Sequence, residues 1–330
     1  MYSESDIDGA VAAGAISPQA ASALRRHVAT AHAAPAVDEE HFRLLTGFND
    51  IFVSIAIALL LAALGQIGFR ISHGLGGGFV AAAAWLLAFY FTAKRRMALP
   101  SIILLLAFMG GLFGGLLGLA FLAGIVGSST GSNDVAETLC VAVSALVTAG
   151  GAWLHWRRFK VPITIAAGTA AAAATITALF LSVVGTANRD AIRGIVFVLG
   201  IAIFAFAMRW DMADRARETR RSDVAFWLHL LAAPMIAHPL FTLIGVTDGR
   251  MVGVTGALSV IAVYLLFAVV ALAIDRRALL VSALAYVLYA LTVLFREFGV
   301  VQLNIALTAL IIGSALLTLS AFWTPIRRLV

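Results

Sequence analysis

The chain has 330 residues, of which 62% are hydrophobic and only 12% charged, with a formal charge of +6 and a pI near 10.1. Soluble domains carry about 25% charged residues, so a water-soluble globular domain is excluded and an all-α, polytopic helical membrane bundle is expected. The basic charge does not indicate nucleic acid, because the cations lie in short loops between apolar runs, where they set topology and meet lipid head groups. The single cysteine, Cys140, precludes an intrachain disulfide or a thiolate metal cluster.

The first 47 residues form a separate helical preamble expected on the cytosolic side. No apolar run begins before about residue 48 and the opening MYSESDIDG is acidic, so no signal peptide is expected. Ser5, with Asp8 three positions on, reads as a capping box for a first helix that Gly14 ends. Ser17 followed by Pro18 reads as the cap and first residue of a second helix running to about Ala31, with Ala20, Leu24 and Val28 on one stripe. Asp38, Glu39 and Glu40 suit the positive end of a third. His27, His32 and His41 lack i, i+4 spacing, so no metal is expected there.

The stretch DIDGAVAAGAISPQAASALRRHVA resembles the preamble of certain bacterial multi-pass membrane proteins of unknown function. The resemblance covers under a fifth of the chain. It implies a bacterial cytoplasmic-membrane setting and neither a substrate nor a catalytic residue.

From Phe48 onward about ten segments can cross roughly 30 Å of hydrocarbon. They lie near 50–69, 74–93, 99–127, 135–156, 161–185, 192–209, 224–245, 251–274, 279–295 and 300–322. With the N-terminus inside, the inner segments hold 18 of the 23 Lys and Arg residues and the outer ones 5. That alternation predicts both termini in the cytoplasm. Ten spans also admit a five-plus-five inverted arrangement.

Gly110, Gly114 and Gly118 recur every fourth residue in the third span, with Gly111 and Gly115 as a parallel row. Small residues at this spacing let helix backbones approach closely, within the chain, in a homo-oligomer or against a membrane partner. No Gly-Lys-Ser/Thr follows, so a phosphate loop is a poor reading.

The seventh span, within Asp223–Arg250, carries His229, His238, Pro234 and Pro239. Each proline removes a donor and crowds the carbonyl four residues back, at Leu230 and Met235, which predicts a broken helix. Ionisable groups at membrane depth usually face a bundle interior or a wet cavity. His229 and His238 are therefore candidate cavity-lining residues, although hydrogen bonding to a neighbouring helix accounts for either. Nine residues apart, they fall on opposite faces of a continuous helix and cannot share a metal unless the prolines break it. On the outer side Glu137, Arg296 and Glu297 are further solute-binding candidates, against a plainer reading as interfacial ion pairs. At the inner boundary Asn49, Asp50 and Asp223 read as capping residues and His155 as interfacial.

There is no His-Glu-x-x-His, Gly-x-Ser-x-Gly or Walker motif, and no acidic pair deep in one span. A non-enzymatic protein without cofactor or metal is expected. Its preamble would regulate the bundle or contact a partner, and a secondary transporter of a small solute is the alternative.

Overall fold

A computed structural model describes residues 4–31, 48–127, 134–214, 219–245 and 253–274, with Leu284, Val287, Leu288, Leu310, Ile311, Gly313 and Ser314. The described elements are all helical. The chain divides into two compact units, Met1–Arg43 and Leu44–Val330.

In the first unit α1 (Glu4–Ala12) and α2 (Pro18–Ala31) pack together. α1 is already helical at Glu4, so Ser5 lies inside it rather than capping it. Gly14 follows with φ +73, a conformation that costs a side-chain-bearing residue energy. Ser17 accepts the Ala20 N–H at 3.1 Å and caps α2. Ala21 is buried, whereas Ala20 and Leu24 stay exposed. The expected third helix lies outside the described residues.

The second unit contains α3 (Phe48–Ile71), α4 (His73–Ala88, prolonged by a π-helical turn Phe89–Lys94), α5 (Ala98–Leu122), α6 (Asp134–Phe159), α7 (Ile163–Val184), α8 (Arg189–Met212), α9 (Arg220–Leu243) and α10 (Gly253–Ile274). Seven of these, α3 to α9 with the π turn counted into α4, are long and apolar enough to span a membrane. They coincide with the first seven expected spans. The eighth expected span falls on α10, apolar over Leu258–Ala273. The ninth and tenth lie largely outside the described residues.

α5 ends at Leu122, short of the expected 127. Gly124 takes φ +69, its N–H bonds the Phe121 carbonyl, and the Ile125 N–H bonds that of Ala120. This paired closure stops a helix even where the sequence stays apolar.

α9 runs unbroken through Pro234 and Pro239, contrary to the expected break. It is capped by Thr219, whose hydroxyl accepts the Arg221 N–H at 3.2 Å, and not by Asp223, which lies in the first turn. It is also the most enclosed of the seven spanning helices, with half of its apolar window buried. Ala225, Ala232, Ala233 and Ala237 are fully buried on it. One core joins Val224, Leu228 and Ala232 to Ile203 and Ala207 of α8 and to Ala166 and Ala173 of α7. A second joins Ala233, Ala237 and Phe241 to Val260 and Phe267 of α10. Lipid tails are as apolar as leucine, so such contacts hold helices together through close packing rather than water exclusion. Alanine permits that closeness.

The tightest neighbours are the sequential pairs α4–α5, α6–α7 and α8–α9. The bundle is therefore built largely of helical hairpins.

Candidate functional site

The seventh expected span, α9, carries a pairing that involves a residue beyond the expected sites. His229, 2% exposed, places Nε2 2.9 Å from the Asp211 carboxylate near the end of α8, itself 13% exposed. A carboxylate only accepts, so Nε2 carries the proton and donates. The ring meets Phe204 edge-on at 5.1 Å. Nδ1 is buried with no hydrogen-bond partner among the described residues.

His238 is exposed on the other side of the same continuous helix. Its carbonyl accepts from the Thr242 hydroxyl at 2.8 Å. The two histidines therefore lie on different sides of α9. Glu137, in the first turn of α6, accepts the Gly127 N–H at 2.9 Å and ties down the turn after α5. Arg296 and Glu297 lie outside the described residues.

The contact with α4 cuts across the two expected glycine rows of α5. A Cβ on Gly111, Gly115 or Gly118 would meet the backbone of α4, whereas one on Gly110 or Gly114, in the same row as Gly118, would meet nothing within 4 Å. Gly110 and Gly114, with Gly111 and Gly118, line a groove of about 860 Å³ between α3, α4 and α5, which also touches Gln66, Phe69, His73 and Phe121. The His73 ring sits between Phe69 at 4.7 Å and Phe121 at 5.0 Å.

Two inner-boundary residues are more enclosed than expected. Asp50 is 4% exposed rather than solvated. His155 is fully buried rather than interfacial, its Nδ1 3.3 Å from the Thr164 hydroxyl. Its ring is surrounded by Trp85, Phe108 and Phe159 from α4, α5 and α6. Asp214 accepts from the Thr219 hydroxyl at 2.5 Å and from its N–H at 3.0 Å, closing the turn between α8 and α9. Among the described residues no group of three or more metal-ligating side chains occurs.

The class defined by this geometry is a helical bundle with, among the described residues, seven helices fit to cross a membrane. No protein-family model, curated protein or solved structure matches the chain.

Proposed function

We propose that the chain is a non-enzymatic multi-pass protein of the bacterial cytoplasmic membrane, with both termini in the cytoplasm, and that its N-terminal unit engages a second membrane-associated protein. The observation that carries this reading is the N-terminal unit itself. Residues Met1–Arg43 form a compact unit of their own, and α2 leaves Ala20 and Leu24 exposed after Ala21 has been buried. Apolar side chains of a helix that are left over after its own packing supply the face of a helix-to-helix contact. Crosslinking in cells tests this. Removal of residues 1–36, or Leu24→Glu, is expected to abolish the specific crosslinked species while the bundle still reaches the membrane. An unchanged crosslink pattern would overturn the reading.

A second reading, a secondary transporter of a small solute, is favoured by the buried His229–Asp211 pair alone. A titratable pair between spanning helices is a recurrent element of proton-linked transport. Against it stands the position of the groove, which touches α3, α4 and α5 and no residue of α9. Thermal unfolding against a panel of solutes at about pH 6 and pH 8 separates the two readings. Transport predicts a solute-specific stabilisation that Asp211→Asn removes; a ligand at 100 times its Kd contributes about 2.7 kcal/mol.

A further inference from the structure

The most unbalanced charge in the described molecule lies at one end of α4 to α7. Lys94 ends the π-helical turn of α4 and Arg95 and Arg96 follow it before α5, while Arg157 and Arg158 lie in the last turn of α6 and Lys160 between α6 and α7. All six are exposed, and none pairs with a carboxylate among the described residues. They are nevertheless held in place. Arg158 stacks over Phe89 at 4.9 Å and Phe159 at 5.5 Å. Arg95 and Lys94 lie over Tyr90 at 5.5 and 5.7 Å, and the Tyr90 hydroxyl accepts from Arg95 Nε and Nη2. Arg157 lies over Trp153 and Lys160 over Trp156.

Phe89 and Phe159 touch edge-on at 5.4 Å, so the two turns meet there. Arg158 thus stands at the seam between the two turns, on Phe89, and Arg95 stands on Tyr90 of the same π-helical turn. Arg96 and Lys160 both adopt left-handed backbone, with φ of 53 and 55. Glycine would fit such positions without strain, yet both carry a cation.

Aromatic stacking fixes the plane of a guanidinium and leaves its edge donors unspent. All five donors of Arg158, and Nη1 of Arg95, have no hydrogen-bond partner among the described residues. A planar fork of donors next to further cations is the chemistry that recognises phosphate oxygens. Tyrosine and tryptophan bodies at the same level suit the boundary between acyl chains and head groups.

We propose that these two turns form one phosphate-ester site, with Arg158 and Arg95 as its ligating residues and Lys94, Arg96 and Lys160 supplying additional positive charge. The phosphate can belong to an anionic phospholipid or to a soluble compound, and the chemistry of recognition is the same.

The test uses the full chain in neutral detergent. Thermal unfolding is followed on adding phosphatidylglycerol, phosphatidylcholine, glycerol 3-phosphate or inorganic phosphate, and retained lipid is counted by native mass spectrometry. Phosphatidylglycerol is expected to raise the Tm more than phosphatidylcholine. In Arg95→Gln/Arg158→Gln its apparent affinity is expected to fall at least fivefold. The control Arg209→Gln/Arg220→Gln removes two exposed cations from the ends of α8 and α9 and is expected to retain it. Protection by glycerol 3-phosphate or phosphate alone would support the site and identify a soluble source, whereas protection by lipid alone would support it and identify the membrane. Equal losses in the two double variants, or no protection by phosphatidylglycerol, glycerol 3-phosphate or phosphate beyond that given by phosphatidylcholine, would overturn the proposal. Should the double glutamine variant fail to fold, Arg158→Lys keeps the charge but not the planar fork; an affinity unchanged from the parent would then overturn it.

Discussion

Gly77→Ala is expected to destabilise the bundle by about 3 kcal/mol or more, the largest effect of adding one methyl group to the described helices. A Cβ at Gly77 runs into the backbone of α5, meeting the Gly115 nitrogen, the Gly111 carbonyl and, at 2.6 Å, the Gly115 Cα. None of these is a flexible side-chain end, so the helices themselves must separate. Gly118→Ala is expected to act in the same direction, since its Cβ would lie 2.8 Å from Gly74 Cα and 2.5 Å from the His73 carbonyl oxygen. Gly110→Ala and Gly114→Ala give the internal control, because nothing lies within 4 Å of either added atom. Both are expected to be neutral or to stabilise by up to about 1 kcal/mol through helix propensity. Unfolding of the purified variants checks the contrast. If Gly77→Ala and Gly110→Ala behave alike, α4 and α5 are not in backbone contact.

The glycine pattern shows what was legible before the structure and what was not. Four-residue spacing announces close packing and yields two parallel rows on α5, but the glycines that meet α4 are Gly111 and Gly115 of one row and Gly118 of the other. Which of them make contact depends on how α5 is turned and tilted toward α4, which only the assembled bundle fixes. The spans themselves were legible, because about twenty apolar residues are needed to cross hydrocarbon and the chain supplies them in discrete runs. Their ends were less so. Apolarity continues past Gly124, yet the backbone turns there. The prolines of α9 announced a break that did not occur. His155 looked interfacial because it precedes Arg157 and Arg158, but its burial comes from rings on α4 and α5, far away in sequence. The role of Asp211 is hidden in the sequence for a related reason. The run Arg209-Trp210-Asp211 reads as the start of a loop, whereas α8 continues to Met212. A mirror-symmetric hairpin centred between α8 and α9 would set Asp211 opposite the first turn of α9, about two turns short of His229. The actual partnership follows from a hairpin whose arms are offset.

Asp211→Ala is the second large expected effect, a loss of about 2 kcal/mol in unfolding free energy. The parent already leaves Nδ1 of His229 without a partner among the described residues. Removing the carboxylate strands Nε2 as well, in a ring 2% exposed. A buried polar group left unmade costs about 1–3 kcal/mol, whereas removing both partners for apolar groups of similar shape is close to neutral. The double variant His229→Leu/Asp211→Leu is therefore expected to recover most of the loss, a non-additivity that a double-mutant cycle reads directly. Asp211→Asn divides the effect further, because the amide oxygen can still accept from Nε2 but carries no charge. Stability close to the parent would mean that a neutral hydrogen bond suffices. Stability close to Asp211→Ala would mean that the charge of the carboxylate, and not the hydrogen bond alone, holds the contact. An Asp211→Ala variant within 0.5 kcal/mol of the parent, about the usual range for surface changes, would show that the contact does not hold α8 to α9 at all.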